Sequence, residues 1–87
     1  ICGRFGGEEF VIVLPNTKLS GAMKLAERIR ETIQNHTFDF NGKKINVTVS
    51  IGITSVGVND SYESLISRAD EALYEAKEKG RNRIEYR

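Results

Sequence analysis

Phe10 to Leu14 is an unbroken apolar run, stopped by Pro15. A half-buried strand alternates polar and apolar residues, so a strand with no polar residue needs cover on both faces. It also needs neighbours on both edges, because unpaired backbone groups cannot be left against a core. These two demands restrict the chain to a layered sheet with helices packed on it. Directly before this run stands Arg4-Phe5-Gly6-Gly7-Glu8-Glu9. Gly6 and Gly7 permit a tight turn and let a large anion approach the backbone. The adjacent carboxylates of Glu8 and Glu9 repel each other unless a cation or a donor neutralises them. Two readings follow from the chemistry alone: a divalent cation and a phosphate held at a hairpin tip, or a solvated polar tip.

The rest of the pattern supplies the covering layers. Residues 9–14 read as a strand, and Pro15-Asn16-Thr17 breaks it. Leu19, Ala22, Met23, Ala26, Ile29 and Ile33 then recur at helical spacing, which predicts a helix over about 19–35. Lys24, Glu27, Arg28, Arg30 and Glu31 are left towards solvent. Asn41-Gly42 is a preferred pair for a two-residue hairpin turn, joining Phe38-Asp39-Phe40 to a long arm over 43–54. In that arm Ile45, Val47, Val49, Ile51 and Ile53 share one face. Gly52 in mid-strand marks a close approach by a ligand, by another backbone or by a neighbouring side chain.

A second helix is predicted over about 61–79, with Leu65, Ala69, Ala72, Leu73 and Ala76 as its buried stripe. Asp60 with Glu63 has the spacing of a capping pair, and Ser61 is the competing N-cap. Gly80 is placed to end the helix, and residues 83–86 form a short last strand. Strand, helix, hairpin, helix, strand is an α+β order, with two helices covering a mainly antiparallel sheet.

Composition narrows the function classes. The chain has 87 residues, enough for one small domain, and a net charge of +1 that carries no mandate for nucleic acid or membrane. Lys77, Lys79, Arg81, Arg83 and Arg87 do cluster late, which suits either a helix C-terminus with a solvated tail or an anion site. Cys2 is the one cysteine, so no internal disulfide forms, and His36 alone cannot build a metal site. No apolar run approaches the roughly 20 residues that span a bilayer. Ile1 opens the chain inside an apparent strand, which reads as a cut from something longer.

Taken together, these residues resemble the GGDEF domain of bacterial diguanylate cyclases. The signature is present as its Glu variant, Gly6-Gly7-Glu8-Glu9-Phe10, after the usual Arg4-Phe5. Three more blocks match in order. They are Asn16-Thr17 through Ala26-Glu27-Arg28-Ile29-Arg30, then Val47 to Ile53, then Arg68 to Lys77 with Gly80-Arg81-Asn82-Arg83. The resemblance implies a nucleotidyl-cyclase-like, ferredoxin-like βαββαβ fold. It covers residues 1–87 as the C-terminal part of one such domain. The half with the first metal-binding Asp, the phosphate loop and the guanine-reading side chains is expected upstream.

By the same resemblance the activity is condensation of two GTP molecules into cyclic di-GMP and pyrophosphate. Glu8 is then a metal ligand and proton acceptor, and Glu9 a second catalytic carboxylate. Gly6 and Gly7 lie along the nucleotide, and Lys77 and Arg81 contact its terminal phosphates. Arg28 falls in the inhibitory product site, whose Arg-x-x-Asp motif precedes Ile1 in the family. Asp70 reads as structural, paired with an arginine. The implied cofactor is Mg²⁺ or Mn²⁺. The implied partners are GTP, cyclic di-GMP and a second GGDEF domain in a homodimer, with no nucleic acid and no direct membrane contact. The implied location is cytoplasmic, with any membrane anchor in other domains. A non-catalytic module that binds GTP or cyclic di-GMP is the alternative. A plain α+β interaction domain leaves the four blocks unexplained. The 87 residues alone are expected to be inactive and to self-associate.

Overall fold

The computed structural model describes residues 2–4, 10–12, 14 and 17–87, with the side chains of 2–4 and 10–12 excepted. The elements are β1 (Cys2–Arg4), β2 (Phe10–Ile12), α1 (Leu19–Gln34), β3 (Thr37–Phe40), β4 (Lys43–Asn46), β5 (Ile51–Ile53), α2 (Tyr62–Glu78) and β6 (Ile84–Tyr86). Both predicted helices form within a residue of their expected ends. Among the described residues β1 pairs with β2 and β3 with β4, both antiparallel, while β5 pairs with β6 in parallel. The α+β class and the mainly antiparallel pairing therefore hold. The parallel pair arises because α2 is the crossover between its two strands, and a helical crossover returns the chain in the same direction.

The arm expected over 43–54 is not one strand. Its first part, β4, closes the hairpin with β3 from Phe40↔Lys43 to Thr37↔Asn46. There β3 runs out, and Asn46 spends its side chain on the His36 carbonyl and the Thr37 hydroxyl. The second part, β5, belongs to a different sheet with β6 and is bracketed by Ile51 N–H donating to Arg83 and Arg87 N–H donating to Ile53. The turn itself is as expected, with Asn41 at φ 52° and Gly42 at φ 83°. His36 is exposed and its ring meets Phe38 edge-on at 4.5 Å.

The packing centre lies where both helices approach β5 and β6. The buried residues there are Ala26, Ala72 and Ala76, all from the predicted stripes, and no large described side chain is fully buried. Small side chains allow backbones to close on one another, and Gly52 shows how far this goes. A Cβ added at Gly52 would lie 2.3 Å from Leu73 N and 2.4 Å from the Ala69 carbonyl oxygen. The close approach read from the sequence is thus the backbone of α2. Away from this centre, Phe38, Phe40, Ile45 and Val47 on or beside the β3–β4 hairpin stay exposed.

Candidate functional site

The C-terminal end of α2 and the loop after it carry Lys77, Lys79, Arg81 and Arg83, while Arg87 lies further back along the helix beside Glu71. Glu63 in the first turn and Lys77 in the last both suit the helix dipole. Gly80 then takes φ 116°, and Arg81 N–H donates to the Ala76 carbonyl at 2.9 Å, closing the helix with a left-handed cap. Unusually, Arg81 and Asn82 keep positive φ as well, at 64° and 47°.

The cations of this stretch divide into two groups. Lys79 pairs with Glu75 at 2.9 Å and Glu85 at 3.3 Å. Arg83 pairs with Glu85 at 3.1 Å, and Arg87 with Glu71 at 3.2 Å. Their carboxylate partners respond accordingly: hydrogen bonding to Lys79 draws the Glu75 carboxyl below its ordinary range. Lys77 and Arg81, by contrast, are exposed and have no side-chain ion pair or hydrogen bond among the described residues. They lie four positions apart, one helical turn, at the same end of α2.

The loop that carries Arg81 is fastened from two other elements. Asn82 N–H donates to Ser50 Oγ at 3.1 Å, and Asn82 Oδ1 accepts from Arg30 Nη1 at 2.8 Å. Arg30 is held in turn by Glu27, whose Oε1 accepts from Arg30 Nε at 3.0 Å, and by Gln34 at 2.9 Å. This corrects the solvent-facing placement of Arg30, whose side chain is only 15% exposed. Arg30 stands seven after Met23, four after Ala26 and three before Ile33, so helical spacing sets it on the apolar face despite its charge, and the loop after α2 packs over that side of α1. The hydrogen bonds between Arg30 and Glu27 lower the Glu27 carboxyl pKa and raise that of Arg30.

A second clamp fixes the start of α2. Ser61, not Asp60, is the N-cap: its Oγ accepts from Ser64 N–H at 3.1 Å while Ser64 Oγ accepts from Ser61 N–H at 2.9 Å. Asp60 is instead gripped by Arg68, with both guanidinium nitrogens donating at 2.7 Å, and by Ser64 Oγ at 2.8 Å. Arg68 also reaches Thr54 Oγ1 and the Ser55 carbonyl. Hydrogen bonds from Arg68, then Gly57 and Ser64, hold the Asp60 carboxyl far below the usual carboxylate range. The Asp60–Arg68 pair escaped sequence reading because its members are eight positions apart, with no local signature.

Asp70 is exposed and makes no ion pair among the described residues, so the arginine pairing expected for it is not found. It borders a shallow depression of about 670 Å³ with Glu71, Glu75, Glu78, Tyr74, Ser67 and Arg87. Four carboxylates against one guanidinium make that surface repel phosphate. Arg28 is exposed on α1. Gly6, Gly7, Glu8 and Glu9 lie outside the described residues. Among the described residues no group of three His, Cys, Asp or Glu side chains converges to hold a metal ion, and no helix is long and apolar enough to cross a membrane.

The fold and the cationic helix end define an α+β domain built around a strand–helix–strand unit, and comparison identifies its family. Residues 1–83 match the family described as "Diguanylate cyclase, GGDEF domain". The chain belongs to the GGDEF family. It is 51% identical over 82 residues to Diguanylate cyclase A of Treponema denticola, covering 93% of this chain and 22% of that protein. The solved GGDEF domain of DgcB from Caulobacter crescentus, in complex with c-di-GMP, superposes with a TM-score of 0.92 at 32% identity, over 98% of this chain and 50% of that one. The active GGEEF domain of a diguanylate cyclase from Vibrio cholerae gives 0.82 at 42% identity, over 98% and 54%. The chain thus spans less than a quarter of the length of the curated relatives it matches and about half of these solved domains.

Proposed function

We propose that this chain forms the C-terminal part of a diguanylate cyclase domain that condenses two GTP molecules into cyclic di-GMP. The observation that carries the reading is the pair Lys77 and Arg81, two exposed cations one turn apart, without side-chain partners among the described residues while Lys79, Arg83 and Arg87 are all paired. Adjacent exposed cations at a helix end suit the terminal phosphates of a nucleotide, with Arg able to bind bidentately. Family relatives named as diguanylate cyclases, one of them an active domain with the GGEEF spelling, support it.

In the reaction the 3′-hydroxyl of each GTP attacks the α-phosphate of the other. A new phosphodiester bond forms, the bond to the β-phosphate breaks, and pyrophosphate leaves. Glu8 accepts the hydroxyl proton. Gly6 and Gly7 give the nucleotide access to the backbone, and Lys77 and Arg81 hold its outer phosphates where the leaving group accumulates charge. The carboxylates of Glu8 and Glu9 are hard oxygen donors and fit Mg²⁺ or Mn²⁺. When bound, the cation supplies charge neutralisation at the reacting phosphate. Each domain presents one GTP, so two domains must face each other as a dimer. Arg28 is assigned to an inhibitory product site, a reading favoured by the c-di-GMP complex of the DgcB domain. The 87 residues alone are inactive on this reading, since the other wall of the GTP site belongs to the rest of the domain. The compartment is the cytoplasm, where GTP is available.

The test is the KM for GTP in the full-length protein. Lys77→Ala and Arg81→Ala should each raise it about tenfold, the loss of one charge-assisted contact. Unchanged KM in both variants overturns the phosphate assignment.

A further inference from the structure

We infer that Arg30 and Asn82 form a positioning clamp that aims Arg81 at the nucleotide, a role resting on the phosphate reading of Arg81 above. Residues 80–82 are three consecutive positions at positive φ, and only the first is glycine. Left-handed backbone at ordinary residues persists only where surrounding contacts over-determine it, and such segments concentrate at ligand clamps. The contacts are on hand. Arg81 N–H is tied back to the Ala76 carbonyl at 2.9 Å. Asn82, the next residue, is bonded at both its backbone and its side chain, to Ser50 Oγ at 3.1 Å and Arg30 Nη1 at 2.8 Å. Arg81 is therefore pinned on both flanks while its own guanidinium is exposed and has no side-chain partner among the described residues.

The clamp is itself preorganised. Arg30 stands largely buried with its charge answered by Glu27, and its remaining donors reach Gln34 and Asn82. Its guanidinium plane thus presents Nη1 to Asn82 in one orientation, which a lysine could not reproduce. The clamp also joins three elements: α1 through Arg30, the approach to β5 through Ser50, and the end of α2. Asparagine is the residue type that serves both needs at 82, because it tolerates left-handed backbone and offers a side-chain acceptor. Arg30 touches no phosphate on this account. It acts through Asn82 on the direction of Arg81.

Kinetics of the full-length protein with GTP and Mg²⁺ test this. Arg30→Ala should raise the KM for GTP about five- to tenfold and leave kcat within about twofold. Asn82→Gly is the variant protected against misfolding, since glycine accepts the left-handed backbone while removing the acceptor. It should raise KM to the same extent with a smaller loss of melting temperature than Arg30→Ala. In an Arg81→Ala background neither substitution should raise KM further. Wild-type KM in Asn82→Gly, or full additivity with Arg81→Ala, overturns the clamp while leaving the phosphate reading standing. Wild-type KM in Arg81→Ala alone overturns that reading and the clamp with it.

Discussion

Replacing Gly52 with alanine inserts one methyl group where the backbone of α2 already lies. The added Cβ would stand 2.3 Å from Leu73 N, 2.4 Å from the Ala69 carbonyl oxygen and 2.8 Å from Leu73 Cα. Carbon contacts settle at about 3.5–4.0 Å, so helix and strand must separate by about 1 Å. A rotatable side chain could yield, but here the obstacle is main chain on two successive positions of the helix's buried face. Moving it opens the contact around Ala72 and Ala76, the most buried residues described. Overpacking a core costs about 1–3 kcal/mol, and a backbone obstacle belongs at the upper end, about 3 kcal/mol. In a domain about twice this length each kcal/mol lowers Tm by about 2–4 °C, so Gly52→Ala should lower it by about 6–12 °C in the full-length protein. Thermal melting followed by circular dichroism is the assay. Gly21→Ala supplies the control, because its Cβ would meet only Thr17 Cγ2 at an ordinary 3.5 Å. Gly21 lies in the first turn of α1, where alanine gains at most about 0.5–1 kcal/mol over glycine, so this variant should melt no lower than wild type. A Gly52→Ala protein melting within about 2 °C of wild type would refute the close approach and the packing built on it.

Other substitutions reach separate parts of the account. Asp60 has a folded pKa below its unfolded value, so its contribution to stability is complete above about pH 5 and is lost as pH falls through the unfolded and then the folded pKa. Asp60→Asn should therefore be less stable at neutral pH and show a shallower acid transition below about pH 4; identical acid limbs in denaturant titrations would contradict this. Ser61→Ala removes the N-cap of α2 and should cost about 1 kcal/mol in urea unfolding. The 87-residue chain by itself, with Phe38, Phe40, Ile45 and Val47 exposed, should self-associate in sedimentation, and a monodisperse monomer would argue against that.

What the sequence revealed was local. Periodicity located both helices because burial repeats every 3.6 residues, and Asn41-Gly42 declared its turn because both positions take positive φ. What it hid were relations between distant segments. The 43–54 arm alternates without a break, yet it divides between two sheets where β3 ends. Arg30 shares the helical face of Ala26 and Ile33, but its charge suggested solvent, and only the path of residues 80–82 shows what answers its outer donor. Asp60 has the spacing of a cap, but a guanidinium two turns along α2 binds it more strongly than a helix N-terminus would. Of the candidate site, what sets Lys77 and Arg81 apart was not legible in composition, since all five late cations look alike until the carboxylate partners of Lys79, Arg83 and Arg87 are placed.

On the proposed function, Gly6-Gly7-Glu8-Glu9 and the Lys77–Arg81 pair serve one GTP reaction. The most direct measurement is cyclic di-GMP formed by the full-length protein from GTP and Mg²⁺, wild type against Glu8→Gln. Product from the wild type and none from a folded Glu8→Gln variant is the predicted result. Equal product from both proteins would contradict it.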